Sequence, residues 1–357
     1  EDPPPPRRGV LWVGGTSALA RTFVEEVGSR LNGERVQFLL AGLERPGWCL
    51  DGPDFTFHGV DLRSRESVEQ LMAGLALEHI DALILSVRGT LVFGTSHLEL
   101  AAHFTLLLTL AAARGVKTVV HVSSVAVADH LRPQVMVDEA TPLPPLETYR
   151  GAYDVFKRVS EDLVTTECQR LGVSFTHLRI GAVFSNDPSC IQCSALRLQA
   201  AAAPHVSVKI DCNSARNVCF ALRLILERAA ILTTGAAGGG GGAVVPALRP
   251  VYYYTRSAQP LPTPVEYGAY LHAYRRANNV WWGIWLPHWV GYMFFWLVHQ
   301  LAGLLPWIQT LQAIDYLLRV SEQEHTFDNR RFRGDFPEIS SGEETIEDAF
   351  KRIRARQ

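Results

Sequence analysis

No charge of one sign dominates this chain: 34 Lys and Arg stand against 36 Asp and Glu, a formal net charge of −2. That balance lacks the basic surface a phosphate backbone requires, so nucleic acid is excluded as a partner. Cysteine is sparse as well. The six, at 49, 168, 190, 193, 212 and 219, lie mostly among apolar residues and read as reduced core thiols. Cys190 and Cys193 make one CxxC, but no second pair or His cluster completes a zinc set, and no metal is expected. The glycines of 235–242 are broken only by alanine and lack the Lys-Ser/Thr of a phosphate loop, so 231–250 reads as a flexible linker.

The most consequential absence is internal. From Ala277 to Ile314 there is no Asp, Glu, Lys or Arg, yet six of the eight Trp (281, 282, 285, 289, 296, 307) fall there. Indole rings prefer the headgroup level, where the ring is apolar and the N–H stays wet. The apolar run Trp289–Leu305 is 17 residues, bracketed by Pro287 and Pro306, and sits at the short limit for a membrane span. An in-plane or re-entrant helical anchor in membrane lipid is therefore expected at 277–314. Two other readings fit the same composition: a buried substrate-side helix, and a docking surface for membrane-protein subunits. The chain opens Glu1-Asp2-Pro3-Pro4-Pro5-Pro6 without Met. Residues 1–8 read as a disordered polyproline tail on a processed product, with the mitochondrion or the endoplasmic reticulum as the expected compartment.

What is present is a repeating pattern. With 357 residues, 47% hydrophobic, the chain can bury one large core or two smaller ones. Apolar runs at Gly9–Val13, Arg35–Leu40, Asp54–Val60, Asp81–Val87, Thr118–Val122 and Ser174–Arg179 alternate with helical patterns, the first reaching Leu31. Short β-rich runs alternating with helices predict an α/β fold with a doubly wound parallel sheet covered on both faces.

One helix carries chemistry. Tyr153 and Lys157 are four residues apart, on one helical face. An ammonium beside a phenol favours the phenolate, so such a pair can pass a proton to or from a carbonyl or hydroxyl.

Several segments, in order, resemble the extended short-chain dehydrogenase/reductase family, nearest its 3β-hydroxysteroid dehydrogenase/isomerase-like branch. They are Val13-Gly-Gly-Thr-Ser-Ala-Leu-Ala20 at the glycine-rich turn, Asp61-Leu62, His121-Val-Ser-Ser-Val125, Asp138-Glu-Ala-Thr-Pro142, the Tyr153/Lys157 pair, Leu178–Phe184 and Lys209–Ala215. Phe327–Pro337 resembles the closing segment. The resemblance implies a Rossmann-like NAD(P)-binding domain over 9–230 and a smaller C-terminal substrate and anchor region over 251–357. It also implies roles: Ser124 bonds the substrate oxygen, Tyr153 moves the proton, and Lys157 tunes Tyr153 and meets the cofactor ribose. Gly14, Gly15, Ser17, Ala20, Arg21, Asp61, Leu62 and Ser86 would line the dinucleotide.

Three departures mark the cofactor end, one being the family's Asn-x-x-Gly-Thr helix start, where Ala101, Phe104 and Thr105 stand. The family's Gly-x-x-Gly-x-x-Gly reads Gly14-x-x-Ser17-x-x-Ala20, and the second strand ends without the Asp that grips an NAD ribose. Arg45 stands nearby and suits a 2′-phosphate, which tilts NAD(P)(H) binding toward NADP(H); Arg88 is a further phosphate candidate. Two functions follow. The first is a membrane-associated NAD(P)-dependent oxidoreductase acting on an apolar, sterol-like alcohol or ketone. The alternative is a dehydrogenase-fold accessory subunit of a membrane complex, such as a mitochondrial respiratory assembly, weak or inactive in catalysis.

Overall fold

The computed structural model describes residues 8–49, 51–75, 77, 79–87, 96–128, 131–149, 151–185, 202–204, 208–234, 247–257, 266–279, 284–286, 288–305, 307, 308, 311, 312, 315, 318–320 and 322–355. Arg88, Cys190, Cys193, Trp281, Trp282, the two bracketing prolines, the glycine run and the first seven residues lie outside them.

Strands β1 (Arg8–Val13), β3 (Glu34–Gly42), β4 (Phe55–Gly59), β5 (Ala82–Leu85), β6 (Thr118–Ser124), β8 (Ser174–Ile180) and β12 (Val251–Tyr253) form one parallel sheet in the order β12-β8-β6-β5-β1-β3-β4. Successive strand residues face opposite sides, and here both sides are greasy. Val10, Trp12, Phe38, Leu40 and Ile84 enter one core; Leu11, Val13, Leu39, Leu83 and Leu85 enter the other. Helices α2 (Arg65–Gly74), α3 (Ser96–Ala113) and α4 (Ala152–Leu171) cover the second core, through Leu71, Leu107 and Phe156. Helices α1 (Ala18–Thr22) and α5 (Ala215–Thr234) cover the first, through Ala20, Val218 and Leu222. The doubly wound Rossmann-like architecture read from the sequence is the one observed.

The first helix is shorter than expected. It runs on as a single π-turn, Phe23–Val27, and stops at Gly28, whose φ of +80° a side-chain-bearing residue rarely adopts. Asn32 and Gly33, both at positive φ, then turn Arg30–Leu31 (β2) back antiparallel onto β3. β12 lies beyond the glycine-rich stretch yet completes the sheet along β8. The aromatic residues Phe332 and Phe336 pack against its Tyr252, with ring centres 5.5 and 5.6 Å away.

Three longer helices lie in the C-terminal region. Helix α6 (Tyr267–Asn278) packs on the last helix, Ile346–Ala355, through Tyr274 and Phe350 at 5.3 Å. Helix α7 spans His288–Leu304, within the charge-free stretch. Cys49, Cys168, Cys212 and Cys219 are buried free thiols, and burial pushes the Cys168 thiol up to about 12. Among the described residues, no His, Cys, Asp and Glu cluster could hold a metal ion.

Candidate functional site

The strand order reverses between β1 and β5, and the loops leaving their carboxyl ends flank the crevice where ligands bind in such sheets. Gly14 leaves β1 at a φ of +86°; a Cβ there would lie 2.7 Å from the Ser86 main chain. At Gly15 a Cβ would lie 2.9 Å from Leu40 Cα and Trp12 O. Both N–H groups donate to Ala41 O, at 2.9 and 3.0 Å. The two glycines are thus required by the close approach of the turn to neighbouring strands. Ser86 fastens the same turn: its Oγ accepts from Trp12 Nε1 at 2.6 Å and donates to Gly14 O at 3.2 Å.

Ser17, where the family has its middle glycine, is the helix cap. Its Oγ accepts from Ala20 N at 3.3 Å. The N–H groups of Ala18 and Leu19 open the helix and have no intrahelical acceptor, which suits a pyrophosphate oxygen. Ala20 is fully buried against α5, where a methyl is accommodated. Arg21 pairs with Glu25 one turn on, at 2.8 Å.

The ribose end differs from the expectation. Gly42 closes β3 with Thr16 Cγ2 only 2.4 Å from where its Cβ would be, and the following Leu43 is exposed. Arg45 is ion-paired with Asp51, and its guanidinium lies 5.5 Å from the Phe57 ring centre. The bond to Arg45 holds the Asp51 carboxyl below its ordinary value. Asp61 is occupied by Arg63, which bonds both carboxylate oxygens at 2.9 and 2.8 Å, while Leu62 is buried in the second core. The turn therefore fits a dinucleotide's phosphates, whereas β3 is followed directly by Leu43, not an acid, and Glu44 is exposed beyond it.

Ser124, Tyr153 and Lys157 come from β6 and α4, which pack together. Ser124 ends β6, and its Oγ accepts from Ala126 N at 3.2 Å, starting the 3-10 turn Val125–Ala128. The Tyr149 hydroxyl donates to Val127 O and ties that turn to the approach of α4. Lys157 is buried, and its ammonium donates to Val87 O at 3.1 Å and Val122 O at 3.2 Å, just past β5 and near the end of β6. It lies 6.0 Å from the ring centre of half-buried Tyr153. The two carbonyls offset the cost of burying the charge and fix the ammonium at the carboxyl edge of the sheet.

Sequence reasoning missed the support behind this pair. Four residues beyond Lys157, Glu161 takes Arg179 of β8 in a buried two-pronged bond of 3.0 and 2.7 Å. Burial alone would raise the Glu161 carboxyl, but Arg179 holds it below the ordinary value. Arg179 also donates to Tyr253 Oη at 2.8 Å, and Tyr253 N donates to Glu139 at 3.1 Å. Four residues further along α4, Thr165 meets His177 Nε2 at 2.9 Å, and His177 Nδ1 meets His121 Nδ1 at 3.1 Å. Burial pushes His177 down to about 4 and His121 well below its usual range, so both rings are neutral near pH 7. The signal was the spacing: Tyr153, Lys157, Glu161 and Thr165 recur every four residues, one polar stripe on a helix facing a sheet.

Solved structures share the fold. The GalE-like L-threonine dehydrogenase from Cupriavidus necator, in its holo form, aligns with a TM-score of 0.66 at 12% identity over 97% of this chain and 99% of that one. The Bordetella bronchiseptica enzyme WbmH in complex with NAD+ gives 0.62 at 13% identity, over 98% and 97%. UDP-glucose 4-epimerase from Thermotoga maritima, with UDP-glucose, gives 0.63 at 12% identity, over 98% of each chain. No curated protein matches the chain by sequence. Residues 24–221, more than half of the 357, match the sequence model of the NAD dependent epimerase/dehydratase family, and the chain belongs to that family.

Proposed function

We propose that the chain is an NAD(P)-dependent oxidoreductase of the 3β-hydroxysteroid dehydrogenase-like kind, acting on an apolar, sterol-like alcohol or ketone. The observation that carries this reading is the Lys157 ammonium, anchored on Val87 O and Val122 O one helical turn from Tyr153 and beside the strand that ends in Ser124. In this reading Ser124 Oγ orients the substrate oxygen. The Tyr153 phenol gives or takes the proton, and Lys157 stabilises the phenolate form. The turn Gly14–Ser17, with the N–H groups of Ala18 and Leu19, receives the dinucleotide phosphates. The nicotinamide, when bound, supplies or accepts the hydride. Arg45 would leave Asp51 for a 2′-phosphate, favouring NADP(H).

The test is Tyr153→Phe in the full chain, with calorimetric titration of NADH and NADPH and a hydride-transfer assay on apolar alcohols and ketones. Dinucleotide affinity unchanged with turnover reduced by roughly 10²–10⁴-fold supports the reading. Turnover unaffected by the substitution defeats it. The second reading, an accessory subunit of a membrane assembly, is favoured by the Arg45–Asp51 pair, which engages the cation a 2′-phosphate would take. Co-purification in a large membrane assembly with no dinucleotide detected by mass spectrometry would decide for it.

A further inference from the structure

Among the described residues, nine of the thirteen exposed large hydrophobic side chains lie between Trp289 and Ile308. Seven of them are on α7, and five of the seven share a face. At about 100° per residue, Trp289, Met293, Trp296, Leu297 and Leu304 fall within an arc of roughly 100°. Their exposures run from 48% to 70%. The opposite side carries Val298 and Ala302, both buried. That side is held to the chain that follows: Gln312 Nε2 donates to Ala302 O at 2.7 Å, and Asp315 binds His299 at 3.2 Å and Arg319 at 2.9 Å. Helix α7 is thus fixed in place by one side and leaves its greasier side uncovered over about 25 Å, from 17 residues at ~1.5 Å each.

The chemistry of that face selects its occupant. Among the described residues of that face, Gln300 is the one exposed polar side chain and none is charged, a composition suited to lipid. Indoles stand in the first turn (Trp289), at mid-helix (Trp296) and just past the end (Trp307, 72% exposed). Such rings settle where an apolar body can be buried while the N–H stays hydrated. The charges return only at Arg276, which pairs with Glu347, and at Asp315, which pairs with Arg319, so the stretch between them carries none. No helix among the described residues is long and apolar enough to cross a membrane.

Helix α7 is also tied to the candidate site through the chain that follows it. His325 Nε2 donates to Val320 O at 2.9 Å, one residue after Arg319. From that strand, His325–Phe327 (β14), Phe327 packs with Val125, the residue after Ser124.

We propose that this face of α7 lies in the headgroup–acyl boundary of a lipid bilayer, parallel to its plane, and holds the carboxyl edge of the sheet at the membrane surface. A substrate dissolved in the bilayer would then reach the site directly; that corollary rests on the oxidoreductase reading, while the docking itself does not.

The experiment uses the full chain and vesicles of phosphatidylcholine with a minor fraction of phosphatidylserine, with no substrate present. The expected result is co-sedimentation that persists in high salt, with a blue-shifted Trp emission quenched by lipids brominated near the glycerol and not by those brominated at the chain ends. The triple variant Trp289→Gln/Trp296→Gln/Leu304→Gln should lose partitioning on the order of a hundredfold. It should keep the wild-type melting temperature, since these side chains are exposed. Failure of the wild-type chain to bind vesicles overturns the proposal. So does quenching confined to the bilayer centre, or a lipid-free dimer that the triple variant dissociates. An inactive protein that still binds vesicles would defeat only the oxidoreductase reading.

Discussion

Replacing Glu161 by Gln removes one charge from a pair sealed between α4 and β8. The side chains of Arg179 and Glu161 are 6% and 4% exposed, so water cannot take over for the missing partner. Two charge-assisted bonds of 3.0 and 2.7 Å are altered, each worth roughly 1.5–3 kcal/mol, and the guanidinium loses its counter-charge. Breaking a buried pair from one side typically costs about 3–5 kcal/mol, and Gln keeps one acceptor, so a loss of ~3 kcal/mol is expected. At about 2 °C per kcal/mol for a chain this large, the melting temperature should fall by ~6 °C.

Arg179→Met should cost a similar amount, and the double variant much less than the sum, with a coupling of at least ~1 kcal/mol. The wild-type margin should also depend on pH. The folded-state carboxyl of Glu161 lies below its unfolded value, so its contribution is full above the unfolded value and is lost as pH falls through the folded one. Glu161→Gln should remove that part of the acid sensitivity. Urea titrations of the four proteins from neutral to acid pH provide the measurement. Single variants each costing under ~0.5 kcal/mol, or strictly additive losses, would refute the reasoning.

Gly15→Ala places a Cβ 2.9 Å from Leu40 Cα and Trp12 O, so it should destabilise the fold by ~1–3 kcal/mol and weaken dinucleotide binding, read by thermal melting and titration. Asp51→Asn removes the counter-charge of Arg45 and should raise the affinity ratio of NADPH to NADH several-fold; an unchanged ratio would remove Arg45 from cofactor selection. His177 is depressed to about 4 when folded, from an ordinary 6.5. The unfolded chain takes up that proton first, so stability should fall as pH drops from about 6.5 to 4, on the order of 3 kcal/mol, and His177→Phe should flatten that slope in denaturant titrations. Ser86→Ala frees the Trp12 N–H and should cost ~1 kcal/mol with a shift in Trp emission.

Much of the fold was legible because sheet and helix periods are written residue by residue. Val10 to Val13 must lie on alternating faces of a strand, and an unbroken apolar run implies that both faces are covered. The Tyr153/Lys157 pair was legible for the same reason, being local. Partners chosen by tertiary contact were not. Arg45 is exposed to the sequence reader as a lone cation, and only the folded loop brings Asp51 against it. Ser86 looks like a strand end until Trp12, 74 residues earlier, is found bonded to it. Arg179 belongs to a Leu-Arg pair readable only by resemblance, while its bond to Glu161 depends on how α4 rests on β8. The short first helix was signalled locally after all, since Asn32-Gly33 is the dipeptide that tight hairpins favour.

The position of β12 has a consequence for how this chain is made. A nascent chain halted at 234 would present the open edge of β8, with its unpaired main-chain groups, and a core lacking Tyr252 and Phe332. Synthesis must reach Phe332, Phe336 and Ile339 before the first core can be sealed. Fragments expressed as the nucleotide half alone should precipitate, whereas fusions appended after the final helix should be tolerated.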